Sequence, residues 1–270
     1  MLIDAFKEDF FDTLDRRAAQ QSAPNRLYLL IDGVFSPGLH KGVATECKAL
    51  LFASLPGCNG ETADASPFLT PYIPNDKRMH WLVRRCSGWP MLSLIETPES
   101  LAQLTARLSA WCVVEADGQR FNFRFPDTRR LPAIFRTLDA AQRAQFTGPV
   151  VRWSYINREG RWNELDVTSV NVEPVADPVL DGQQFAALVD DSRADEVLVL
   201  LGDRGYEVHK HPSVSHARVA AALPVAVSAN LADEEVLDWC EWYWQHAEAG
   251  HDLSAQAAFQ AWRATSFMEQ

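Results

Sequence analysis

Residues 121–153 read FNFRFPDTRRLPAIFRTLDAAQRAQFTGPVVRW, and the fold is best approached from this stretch. Phe121, Phe123 and Phe125 alternate with Asn122 and Arg124, the period of two that marks an extended segment with one apolar face. Pro126 and Asp127 end it. Leu131, Ile134 and Phe135 then mark a short helix, and Asp139 is placed to cap a second one through Ala140, Ala141 and Ala144 by accepting from backbone N–H groups. Gly148-Pro149 closes that helix.

Upstream, Leu27-Tyr28-Leu29-Leu30-Ile31 is an almost wholly apolar run that stops at Asp32-Gly33, which predicts a strand with both faces covered. Ile3, Phe6, Phe10 and Leu14 predict an amphipathic helix over 3–19. Prolines in the segment 67–73 suggest an edge-like or bulged strand, and residues 89–95 read as another strand. Thr97 and Pro98 are a helix start, followed by the stripe Leu101, Leu104 and Leu108. Asp117-Gly118 then turns a strand at 111–115 into the Phe121 strand.

Downstream of Trp153 the pattern changes. A strand-turn segment at 154–165 and a linker at 171–178 lead into helical spacing: a helix capped by Asp181, one over 213–222 stopped by Pro224, one capped by Asp233, and a last one from about Leu253. The expected class is therefore α+β. Residues 1–165 form an N-terminal lobe with a mixed, mostly antiparallel sheet flanked by helices, and residues 166–270 form a smaller all-helical lobe.

Composition narrows the function classes. At 270 residues and 47% hydrophobic content the chain can bury a core. It has no apolar run of about 18 residues, and its first residues, MLIDAFKEDFFD, are acidic and amphipathic where a signal peptide is basic and then apolar. A cytoplasmic location is expected. Cys47, Cys58, Cys86, Cys112 and Cys240 are odd in number and widely spaced, which suits reduced thiols over disulfides or a zinc site. The net charge of -11 is uneven: residues 1–165 hold 20 basic and 18 acidic residues (+2), residues 166–270 hold 5 and 18 (-13). Such an acidic half argues against nucleic acid or an anionic membrane as its partner.

Taken in order, the YLLIDG exit at 28–33, the proline-bounded strand, the Gly-Trp-Pro turn at 88–90, the Asp-Gly hairpin and the stretch from Phe121 cover about residues 27–153. In this order they resemble the adaptor and effector-chaperone domain of bacterial type VI secretion systems. The resemblance implies a non-enzymatic chaperone that binds a secreted effector (toxin) and promotes its loading onto the spike protein, with no cofactor. It leaves open which lobe binds effector and which binds spike. Arg124, Asp127, Arg129 and Leu131 match the family pattern, while Pro126 and Thr128 depart from it.

Several residues invite chemistry. Asp32 follows a strand as a catalytic acid can, yet it lacks a second acid or nucleophile beside it and reads as a turn acceptor. Cys58 has no adjacent base to lower its pKa. His209, His211 and His216 lie close enough to suggest a metal, but Pro212 interrupts them. Arg124, Asp127 and Arg129 suit either a carboxylate or phosphate ligand or a brace at the strand-helix corner, and the brace is preferred. Trp239, Trp242, Tyr243 and Trp244 are the expected partner-binding residues, being too dense for one helix side to hide. Neither a GxSxG elbow, a phosphate loop nor an HExxH pair occurs. No catalytic residue and no metal ligand is assigned. A hydrolase with an unrecognised site and a purely structural interaction domain remain the alternatives.

Overall fold

In the computed structural model the apolar run at 27–31 is the central strand β1, Arg26–Ile31. It is followed by β2 (Ala49–Leu50), β3 (Phe68–Pro71) and β4 (Leu92–Thr97), by a separate hairpin of β5 (Val113–Ala116) and β6 (Gln119–Asn122), and by β7 (Arg152–Ile156) and β8 (Trp162–Glu164). The structure describes residues 1–248 and 254–266. The six-stranded sheet has the order β2-β3-β1-β4-β7-β8 with every pair antiparallel. Parallel pairing among the described residues is confined to the bridge between Glu115 and Val179.

Both faces of this sheet are covered, which explains why β1 has no polar alternation. Tyr28 and Leu30 pack with α4 (Leu101–Ala110), α5 (Leu131–Thr137) and α6 (Ala140–Thr147) through Leu104, Leu108, Ile134 and Phe146. Leu27, Leu29 and Ile31 pack with α1 (Phe10–Ala19) and α3 (Lys77–Arg84) through Phe10, Leu14, Leu82 and Val83. Helix α2 (Gly60–Ala65) buries no residue. Burial of a Leu or Ile side chain stabilises by about 1.5–3 kcal/mol, so a polar residue on either face of β1 has no place to go.

Local chemistry sets the boundaries. Asp139 and Gln142 cap α6 reciprocally, and Asp117 and Gly118 take the positive φ that a tight hairpin turn needs. Helix α4 starts three residues later than Thr97 and Pro98 suggest, because Ser100 and Gln103 form its capping box and Thr97 is the last residue of β4. Helix α1 starts at Phe10, since Leu2 and Ile3 donate to the Gly88 carbonyl and Asp4 to that of Arg158. Segment 67–73 is no edge: β3 lies between β1 and the two-residue β2, with Pro71 at its end. The Phe121 strand stops at Asn122, although Phe123 and Phe125 are buried as the alternation requires.

The chain divides into two compact units, Met1–Asp190 and Asp191–Gln270. The division falls later than 165/166 because Leu180 joins the first unit's core and Val175, Phe185 and Leu188 pack against it. The second unit is helical. It contains the end of α7 (Gly182–Asp203), α8 (Pro212–Ser228), α9 (Asp233–Glu248) and α10 (Ala255–Ser266). Pro224 lies inside α8 instead of ending it. Leu253 lies outside the described residues. Its core gathers Leu201, Val219, Ala222, Ala226, Trp239, Ala258 and Trp262.

Candidate partner-binding surfaces

The corner after β6 and the exit of β1 form one charged cluster. Arg124 Nη2 donates to Asp32 Oδ2 at 2.9 Å, joining residues 92 positions apart. Asp32 Oδ1 also accepts from the Val34 backbone N–H at 3.2 Å, so the turn role expected of it holds as well. Asp127 accepts from Arg129 Nε at 3.1 Å and Nη2 at 2.7 Å, a forked contact that only a guanidinium makes. The Arg124 and Arg129 guanidinium carbons stand 5.7 and 5.8 Å from the centre of the Phe35 ring.

The burial of this cluster fixes its character. Asp32 and Asp127 are buried, while 37% of the Arg124 side chain reaches solvent. Burial raises the Asp32 pKa above the usual carboxylate range, against the opposing pull of Arg124. Arg129 braces the corner through Asp127. Arg124 ties the corner to β1 and keeps part of its side chain in solvent. Arg124, Asp127 and Arg129 are neighbours in sequence, whereas Asp32 and Phe35, which follow the end of β1, meet them only in the fold.

An open apolar cleft of about 780 Å³ runs along α4, lined by Leu50, Leu55, Leu101, Ala106 and Ala110 with Arg120 among its lining residues. Its alanines leave room that larger residues would fill. No spacing in the sequence points to it, because its walls come from α4, the β2 region and the β5–β6 hairpin.

In the second unit the aromatic residues of α9 separate into two classes. Trp239 is fully buried, donates from Nε1 to the Ala222 carbonyl at 3.0 Å and packs on Phe259 and Trp262. Trp244 is also buried, with the Arg218 guanidinium over its ring. These two are core residues and cannot serve as contact residues while the unit is folded. Trp242 and Tyr243 are half-buried, and Trp242 stacks on His246 with centroids 3.5 Å apart. Only this pair of the four keeps surface for a partner.

His209 and His211 are exposed and His216 is half-buried. Among the described residues no three His, Cys, Asp or Glu side chains are grouped to hold a metal. Burial pushes the Cys112 and Cys240 thiols up to about 12 and raises that of Cys86 further, so these three are packing residues. Among the described residues no helix is long and apolar enough to cross a membrane.

Neither the curated proteins nor the solved structures contain a match to this chain. Residues 27–145, which span β1 to α6 and include the Asp32–Arg124 cluster, match the family model described as a domain of unknown function, DUF4123.

Proposed function

We propose that this protein is a non-enzymatic, cytoplasmic adaptor that binds a secreted effector and promotes its loading onto the spike protein of a type VI secretion system. The observation that carries this is the DUF4123 match over residues 27–145, on the stretch whose motifs resemble the adaptor family. The surfaces agree with a binding role. The first unit presents the partly exposed Arg124 and the apolar cleft along α4, and the second presents Trp242 and Tyr243. Large aromatic residues and arginine are the side chains that most often anchor protein interfaces.

Co-expression with the products of the flanking effector and spike genes tests the proposal. A complex that stays together through size-exclusion chromatography is expected, and Trp242→Ala weakens it more than Cys58→Ser does. Failure of the wild-type chain to hold either protein would reject the adaptor role.

A further inference from the structure

Helix α3 carries a surface that none of the sites above uses. Its buried face is Met79, Leu82 and Val83, and its strong amphipathic division leaves the other face to solvent. Lys77, Arg78, Trp81 and Arg84, with Arg85 at the C-cap, are all exposed. At about 100° per residue these five positions fall within an arc of about 120°. They form a single stripe of four cations around one tryptophan.

Three observations set this stripe apart from an ordinary solvated face. Trp81 is 50% exposed, and its ring edge rests over Gly42, where a Cβ would stand only 2.9 Å away. Gly42 has no positive φ that would call for glycine, so the missing side chain serves to seat the indole. Among the described residues none of the four cations has a carboxylate partner, although Arg84 lies 5.2 Å from the centre of the Phe11 ring. Finally, Lys77 and Arg78 occupy the first turn, where the helix dipole disfavours cations, and the first turn contains no acid. The cap Asp76 offsets this only in part, its Oδ1 being engaged by the backbone N–H groups of Arg78 and Met79. Residues placed against local stability are expected where function requires them.

We propose that this stripe is a docking site for an acidic segment of a partner protein, with Trp81 receiving an apolar side chain at its centre. Charge complementarity selects the partner's chemistry: four cations that have no carboxylate partner among the described residues steer and hold carboxylates, and a half-exposed tryptophan supplies the apolar anchor. A lipid surface fits less well because the apolar face of α3 is already committed to the core. A nucleic acid fits less well because one tryptophan among the four cations offers a single apolar anchor and no row of aromatic rings for successive bases.

The inference rests on the adaptor proposal only in taking the partner to be a protein. The test uses the full chain and a fluorescein-labelled Glu/Asp-rich peptide that contains leucine, read by anisotropy. The wild type binds it, and added salt weakens binding. Joint substitution of Lys77→Glu, Arg78→Glu, Arg84→Glu and Arg85→Glu raises Kd by about tenfold or more. Trp81→Ala raises it by about fivefold. Arg161→Glu, an exposed charge reversal on the β7–β8 turn, leaves it unchanged. Should the fourfold variant not fold, Arg84→Gln with Arg85→Gln must still raise Kd. Absence of wild-type binding, an equal loss with Arg161→Glu, or preferential binding of a DNA duplex or phosphatidylglycerol vesicles would overturn the inference. A chain that binds the peptide but holds neither effector nor spike would reject the adaptor role and keep the docking site. One that holds both proteins equally well with the stripe reversed would do the opposite.

Discussion

Helices α3 and α9 both carry tryptophan, and they use it in opposite ways. On α9 three tryptophans and a tyrosine fall within six residues, and two of the tryptophans, Trp239 and Trp244, are buried by packing against α8 and α10 or their own neighbours. On α3 a single tryptophan stands among cations and half of it stays in water. Aromatic density therefore marks a core, because so much apolar area on a short helix is hidden at the first opportunity. An isolated aromatic residue within a charged face marks a surface.

The largest expected effect strikes at this contrast directly. Trp239→Ala removes a buried indole and its hydrogen bond to Ala222, and should cost the second unit about 3–5 kcal/mol in urea unfolding. Equal losses for Trp239→Ala and Trp81→Ala would break the comparison. Trp242 is the intermediate case: its loss removes the stack on His246, and a decrease of about 0.5–1.5 kcal/mol is expected. A smaller change at Trp242 with a large drop in effector binding would move it fully to the surface class.

A third measurement contrasts the exposed cations of α3 with the buried charge of Asp32. Burial raises the Asp32 pKa in the fold, so the folded state holds this proton more tightly than the unfolded chain does. The stability it contributes is complete below the unfolded aspartate pKa and declines as pH rises through the raised value. The unfolding free energy of the wild type minus that of Asp32→Asn should therefore fall with rising pH across that window. A difference that grows with pH would mean that Arg124, not burial, governs Asp32. Smallest of all, Trp81→Ala should shift stability by less than about 0.5 kcal/mol. Iodide, drawn to the cations, should quench a fraction of the wild-type fluorescence that disappears in this variant.

Much of the first unit was legible because its signals are local. The run at 27–31, the Asp-Gly hairpin and the Asp139 cap each depend on a few adjacent residues, and each forms where the spacing places it. Sheet order was not legible, since β2 is two residues long and carries no period. Pro224 misled because a proline forfeits one helical hydrogen bond, a loss that packing of Leu223 and Ala226 on both sides of it outweighs. At the candidate sites Arg124, Asp127 and Arg129 were visible as a motif, whereas the meeting of Arg124 with Asp32 depends on tertiary structure alone. The aromatic residues of α9 were visible as a group, but which of them face inward depends on α8 and α10.

The position of β1 also has a consequence for synthesis. Its neighbours are β3 and β4, so Ile31 pairs with Phe68 and Arg26 waits for Thr97, and β4 in turn waits for β7 at Trp153. A ribosome releases the uncharged apolar run 27–31 well before any strand that can pair with it. During that interval the run has the composition of an aggregation-prone segment, and pairing over such long separations is slow. Chains halted before residue 92 should accumulate as aggregates, while those that extend past 165 should escape, and slower translation across this interval should lower the yield of folded protein.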